Sequence, residues 1–273
     1  FLIFNPLTIS QLLNNSKKFP KDFFGKKPWA SKGEYLKLYE NAKKNESYMI
    51  KKFEVNTGYS INKKWINKLA LHTQIVKKES KLNYEHGRLV YSSLRNYLKD
   101  FQNKKESVMI LETGTARGFS SLCMSKALED SCINGKIVTL DCLPHNERMF
   151  WNCIDDLEGK KTRAELLEPW NKLLNNIIFL QCWTKEALPN LGFQRINFAF
   201  LDAQHSYKSV MSEFFYVSKY QKMGDVIVFD DVTEKKFPGI VKAVNEISSE
   251  GNYEIKSYIE NEERGYAIAK KII

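Results

Sequence analysis

The sequence predicts an α/β fold: a mostly parallel, doubly wound sheet that ends in an antiparallel hairpin and is preceded by a helical extension. Three observations predict it. Val108-Met109-Ile110-Leu111-Glu112-Thr113-Gly114-Thr115-Ala116-Arg117-Gly118-Phe119-Ser120 passes from an apolar strand through an acid and a glycine loop into a helix start. That is the form of a buried parallel strand delivering its carboxyl end to a ligand. Three more β-branched or aromatic runs, Lys136–Asp141, Ile196–Asp202 and Asp225–Asp231, also end in aspartate, with segments of helical spacing between them. Finally, strands near 252–259 and 264–272 are separated by Asn261-Glu262-Glu263-Arg264-Gly265, a turn too short for a crossover helix, so they pair antiparallel.

In chain order, residues 1–30 read as irregular, punctuated by Pro6, Pro20, Gly25 and Pro28. Helices are expected over 33–52, 61–78 and 85–101. Ile61, Trp65, Leu69, His72 and Val76 form an apolar stripe on the second, where His72 reads as a packed residue rather than a ligand. The sheet follows at 108–113, 136–141, 177–181, 196–202 and 225–230, then the hairpin. The long stretch 143–176, with His145, Trp151, Arg163 and Trp170, is expected to hold a crossover helix and one wall of an acceptor pocket. Right-handed crossovers put the parallel strands' carboxyl ends on one edge, so Glu112, Asp141, Asp202, Asp230 and Asp231 converge there. One such acid is as well explained by helix capping. Four acidic strand ends favour a site.

The 273 residues suffice for one α/β domain plus an extension, and no apolar run approaches membrane-spanning length. The chain opens at Phe1, so no signal peptide can be read from it. Five scattered cysteines, without CxxC or Cys/His metal spacing, read as reduced thiols in a cytoplasmic protein. The net charge of +10 is uneven: 22 Lys+Arg face 9 Asp+Glu in residues 1–110, against 20 and 23 afterwards. The basic residues are almost all lysines mixed with asparagines, which favours a solvated helix surface over a nucleic-acid-binding face.

Five alternating units and a terminal hairpin form the layout of class I S-adenosylmethionine methyltransferases. Leu111–Ser120 resembles their first cofactor motif. Phe200-Leu201-Asp202-Ala203-Gln204-His205-Ser206-Tyr207 is similar to the fourth-strand motif of the macrocin-type O-methyltransferase and cephalosporin-hydroxylase-like group, and Gly224–Asp231 to its fifth strand. The resemblance covers about residues 84–270. It implies a Rossmann-like seven-stranded methyltransferase domain over 105–273. The apolar stripe on 61–78 and the helix 85–101 need a partner surface, so residues 1–104 are expected to form a helical cover that shapes the pocket or a dimer interface.

It also implies S-adenosylmethionine as cofactor. Gly114, Thr115 and Gly118 would hold its amino-acid end, Glu112 would lie near its cationic groups, Asp141 would accept from ribose hydroxyls and Ser120 would contact the carboxylate. Where relatives place an acid for the adenine amino group, this chain has Gln181-Cys182-Trp183-Thr184, leaving Trp183 to stack on adenine or to fill the core. Asp202, Asp230 and Asp231 would hold Mg²⁺. His205 is the candidate base, with capping of a helix at 205–221 as its ordinary alternative. The expected acceptor is a hydroxyl on a small molecule, a sugar or glycosylated metabolite. An Asn/Asp-Pro-Pro-aromatic turn for a flipped base is absent from Asp202-Ala203-Gln204-His205. The alternatives are a nicotinamide-dependent oxidoreductase and a non-catalytic cofactor-binding module.

Overall fold

A computed structural model of the chain describes residues 19–101 and 106–273. Residues 1–18 of the irregular stretch expected over 1–30, and the 104/105 boundary, fall outside the described residues. Seven strands form one sheet: β1 Val108–Thr113, β2 Gly135–Asp141, β3 Ile177–Gln181, β4 Phe198–Leu201, β5 Val226–Phe229, β6 Tyr253–Asn261 and β7 Arg264–Lys271. Their order is β3-β2-β1-β4-β5-β7-β6. The first five run parallel, while β7 lies antiparallel to both β5 and β6. The winding reverses between β1 and β4, which opens a crevice beyond their carboxyl ends.

Side chains alternate across the central strands with a period of two. Ile110, Phe198, Phe200, Val226 and Val228 point into one core, and Leu111, Ala199, Leu201, Ile227 and Phe229 into the other. Ten helices are described: α1 Lys32–Ala42, α2 Tyr48–Thr57, α3 Lys63–Thr73, α4 Glu85–Leu98, α5 Phe119–Ser131, α6 Arg163–Leu166, α7 Asn171–Leu174, α8 Thr184–Ala187, α9 Tyr207–Lys219 and α10 Pro238–Ser249. The N-terminal helices share the first core through Ile66, Leu69, Leu89, Leu94 and Leu98. Val210, Phe214, Val217 of α9 and Ile240, Val244, Ile247 of α10 fill the second.

Three expectations change. The helix expected at 33–52 is two helices, because Ser47 caps a new start by accepting from Ile50 N–H at 3.2 Å. The second expected helix stops at Thr73, whose hydroxyl bonds back to Leu69 O at 2.7 Å. Val76 of its stripe is buried beyond the helix end. The 143–176 stretch holds no long crossover helix, only one-turn helices such as α6 and α7, since Pro144, Gly159 (φ +106°) and Pro169 interrupt it.

This stretch is instead tied to the cover. His72 Nδ1 lies 2.6 Å from Asp155 Oδ2, and the Asn152 side chain brackets the Lys77 backbone at 3.0 and 2.9 Å. At the opposite end of the sheet, Tyr97 of α4 donates to the buried Asp225 at 2.8 Å. No helix among the described residues is long and apolar enough to cross a membrane, and all five cysteines are free thiols.

Candidate active site

The glycine loop is set by sterics. Gly114 adopts φ +90°, and a Cβ there would lie 2.0 Å from the carbonyl oxygen of Asp202, so only glycine lets β1 and β4 end this close together. Glu112, at the last turn of β1, is fully buried. Its Oε2 accepts from the Ser121 hydroxyl and from Thr139 Oγ1 at 2.6 Å, while Oε1 has no hydrogen-bond partner. Burial pushes its pKa up, and the surrounding hydroxyls, including Ser120, oppose that shift. Ser120 and Ser121 therefore turn toward Glu112 and do not cap α5, whose N-cap is Gly118 without a side-chain bond. Thr115 is also turned inward, its hydroxyl 2.5 Å from that of Thr139.

Asp141 ends β2 beside this loop. Its Oδ2 accepts from Ala116 N–H and its Oδ1 from Leu143 N–H, both at 2.7 Å. Each carboxylate oxygen keeps one further lone pair for a ligand. Trp183 is half-buried at the start of α8 and stacks on Phe19, with ring centroids 6.0 Å apart.

On the other side of Gly114 stands a second group. His205 Nε2 lies 3.5 Å from Asp231 Oδ2 and 3.7 Å from Asp202 Oδ1, and it is buried without a hydrogen-bond partner. Phe237 packs on the imidazole at 4.3 Å between centroids. The cap of α9 is Ser206, so His205 is free of that role. Burial, then the Asp231 and Glu112 charges, hold the Asp202 carboxyl well above the usual carboxylate range. Asp230 is raised for the same reasons, by burial and then by Asp202 and Asp231. Asp231 sits at φ +56° and accepts from Arg264 Nη1 at 3.2 Å.

Ligand atoms of Asp202, His205 and Asp231 lie within 4.8 Å of one another, the one such group among the described residues. Asp230 is not part of it. Its Oδ1 accepts from the N–H of Asp231 at 2.7 Å. The two carboxylates suit a hard cation such as Mg²⁺ or Mn²⁺, whereas the imidazole is a donor more typical of Zn²⁺ or Fe²⁺. Glu112 and Asp141 likewise suit a ligand carrying a cationic centre and a diol.

Two neighbours of the site were not legible as such in the sequence. Arg264 reads there as a turn residue, yet the Val232 N–H to Gly265 O bond of 2.8 Å folds it onto Asp231. Glu213 sits on α9 beneath the loop, with Oε2 accepting from Thr113 Oγ1 at 2.7 Å and Oε1 unpartnered. Its place seven residues into α9 gave no signal. At the start of α4, Tyr84 bonds Asn67 at 2.9 Å and Arg88 is held by Glu54 and Glu85, while His86 is sealed between Phe119 and Phe200, so none of the three is free to meet a ligand.

Residues 111–232 match a family described as a methyltransferase domain. No curated protein sequence matches the chain. The O-methyltransferase TomG from Streptomyces achromogenes, solved with S-adenosylmethionine, is 16% identical over 78% of this chain and 92% of its own, with a TM-score of 0.54. An O-methyltransferase from Bacillus cereus, solved with S-adenosylhomocysteine, is 15% identical over 83% and 92%, with a TM-score of 0.50. The O-methyltransferase NovP is 14% identical over 77% and 98%, with a TM-score of 0.54. At such identities the likeness establishes the fold. Residues 111–232 thus match a methyltransferase domain, and the chain carries the fold of these solved O-methyltransferases.

Proposed function

We propose that the protein transfers a methyl group from S-adenosylmethionine to a hydroxyl oxygen of a small molecule, a sugar or glycosylated metabolite, with His205 as general base. The observation that carries this reading is a pair of unpartnered buried acceptors on either side of Gly114: Glu112 Oε1 and His205 Nε2. The first fits a cationic cofactor, and the second fits a hydroxyl whose proton must leave. The solved O-methyltransferases of the same fold support the pairing of cofactor and acceptor atom. The sheet order, with its antiparallel β7, departs from the double mononucleotide repeat of dehydrogenases and counts against the nicotinamide alternative.

S-adenosylmethionine supplies an electrophilic methyl on a sulfonium, which leaves as a neutral thioether. The residues of this chain do the rest. Glu112, with Ser120 turned toward it, and the 114–118 loop hold the amino-acid end, and Asp141 accepts from the ribose. His205 takes the acceptor's hydroxyl proton at Nε2 as the oxygen bonds to the methyl carbon. Asp202 and Asp231, 3.7 and 3.5 Å away, stabilise the imidazolium that results.

A second reading is favoured by the close grouping of Asp202, His205 and Asp231. There these residues would hold a divalent cation, with Asp230 behind Asp231, and the cation would lower the hydroxyl's pKa. His205 would then be a ligand and not a base. Turnover of a panel of hydroxylated acceptors, with and without exhaustive chelation, separates the two. Activity that survives chelation but not His205→Ala supports the base. Activity lost on chelation and restored by Mg²⁺ supports the cation. Cofactor binding with no turnover on any acceptor would point to a non-catalytic module.

A further inference from the structure

We infer that Arg163 is the positioning residue of the cofactor loop: with Asp141 it clamps Ala116 and Leu143, and so sets the affinity for the methyl donor without touching it. The inference rests on the reading that the 114–118 loop binds S-adenosylmethionine. Arg163 opens α6 inside the irregular stretch between β2 and β3, and it is 2% exposed. Its Nε donates to Ala116 O at 2.9 Å and its Nη2 to Leu143 O at 3.4 Å. Asp141 accepts the N–H groups of the same two residues. Ala116 and Leu143 are therefore each held at both ends, N–H by the carboxylate and C=O by the guanidinium.

The clamp has work to do at Ala116, which sits at φ +44°. An L-residue persists there only when its surroundings over-determine it. The clamp is itself fixed. Arg163 N–H donates to His145 O at 3.1 Å, and the guanidinium lies 5.5 and 5.7 Å from the Trp151 and Phe179 ring centroids. One turn further on, Leu167 closes over Gly118, where a Cβ would come within 2.7 Å of its Cδ1. Burial lowers the pKa of Arg163, and the Asp141 and Glu112 carboxylates oppose that shift. Only a planar, forked donor spans both carbonyls, so lysine is not its equal here. Loss of the clamp frees Ala116 to relax and lets Asp141 turn away from the ribose position. The cost falls on cofactor binding and spares the His205 side of the site.

The test is titration of full-length wild type, Arg163→Lys and Arg163→Ala with S-adenosylhomocysteine, beside thermal unfolding and steady-state kinetics. Arg163→Lys, which keeps the charge and one bond, is the folded variant if Arg163→Ala fails to fold. Its expected affinity is at least about tenfold weaker than wild type, the equivalent of one lost charge-assisted hydrogen bond. KM for S-adenosylmethionine should rise in step, while kcat at saturating cofactor and KM for the acceptor stay within about twofold. Amide exchange at Ala116 should quicken in the same variant. Wild-type affinity in a folded Arg163→Lys overturns the clamp alone, and so does a loss confined to kcat. A wild-type chain that binds no S-adenosylhomocysteine overturns both the clamp and the reading it rests on.

Discussion

His205 is surrounded by groups that make sense of a proton acceptor: two carboxylates within 3.7 Å, an aromatic face and no competing bond. His205→Ala should lower kcat by about 10²–10⁴-fold while leaving S-adenosylhomocysteine affinity intact, as kinetics and calorimetry would show. An unimpaired variant removes the base. Two other buried groups predict how stability follows pH. Burial pushes Glu213 from 4.5 up to about 7, and burial pushes His86 from 6.5 down to about 3. Between 4.5 and about 7 the unfolded chain ionises Glu213 first, so its contribution is present at low pH and lost as pH rises. Below 6.5 the unfolded chain protonates His86 first, so stability is lost as pH falls toward 3. Glu213→Gln should therefore raise Tm at about pH 8 and change it little at about pH 4, whereas His86→Leu should flatten the acid side. A Glu213→Gln protein with the same Tm change at both pH values contradicts the assignment. The acids at strand ends were legible because a strand, a turn and a carboxylate are adjacent in sequence. Glu213 and Arg264 were not, because folding alone brings them there.

At the scale of elements, the β1 loop depends on contact between backbones. Gly114→Ala places a methyl 2.0 Å from Asp202 O in a left-handed conformation. The cost should exceed the ~1 kcal/mol of unfavourable φ alone and reach a few kcal/mol, with cofactor affinity falling too. Chemical denaturation and calorimetry check both, and wild-type values in each would refute the close approach. All seven strands were legible, since short β-branched runs bounded by acids and glycines leave little choice. The 143–176 stretch was not. Its prolines and glycine break the helical pattern, and its order comes from Arg163, Asn152 and Asp155 reaching distant backbone and side chains. The break at Ser47 was missed although Lys43-Lys44-Asn45-Glu46 interrupts the apolar spacing and Ser47 is itself a capping residue.

At the scale of the molecule, the N-terminal helices lie on one face of the sheet and share its core. We take residues 1–104 as a cover that shapes the pocket, tied to the 143–176 stretch by His72–Asp155 and Asn152–Lys77. Removing residues 1–80 would take α2 off α4 and α3 off α5, and the uncovered apolar faces should leave insoluble or inactive protein. A truncated chain that folds and binds cofactor normally contradicts the cover. The apolar stripes announced that these helices need a partner surface, but periodicity does not say which surface. The central claim, a methyltransferase domain that takes S-adenosylmethionine, meets its most direct test in titration calorimetry of the full chain with S-adenosylhomocysteine and, separately, with nicotinamide dinucleotide. Saturable one-to-one binding of the first and no binding of the second is the predicted result. Binding of the dinucleotide alone would contradict it.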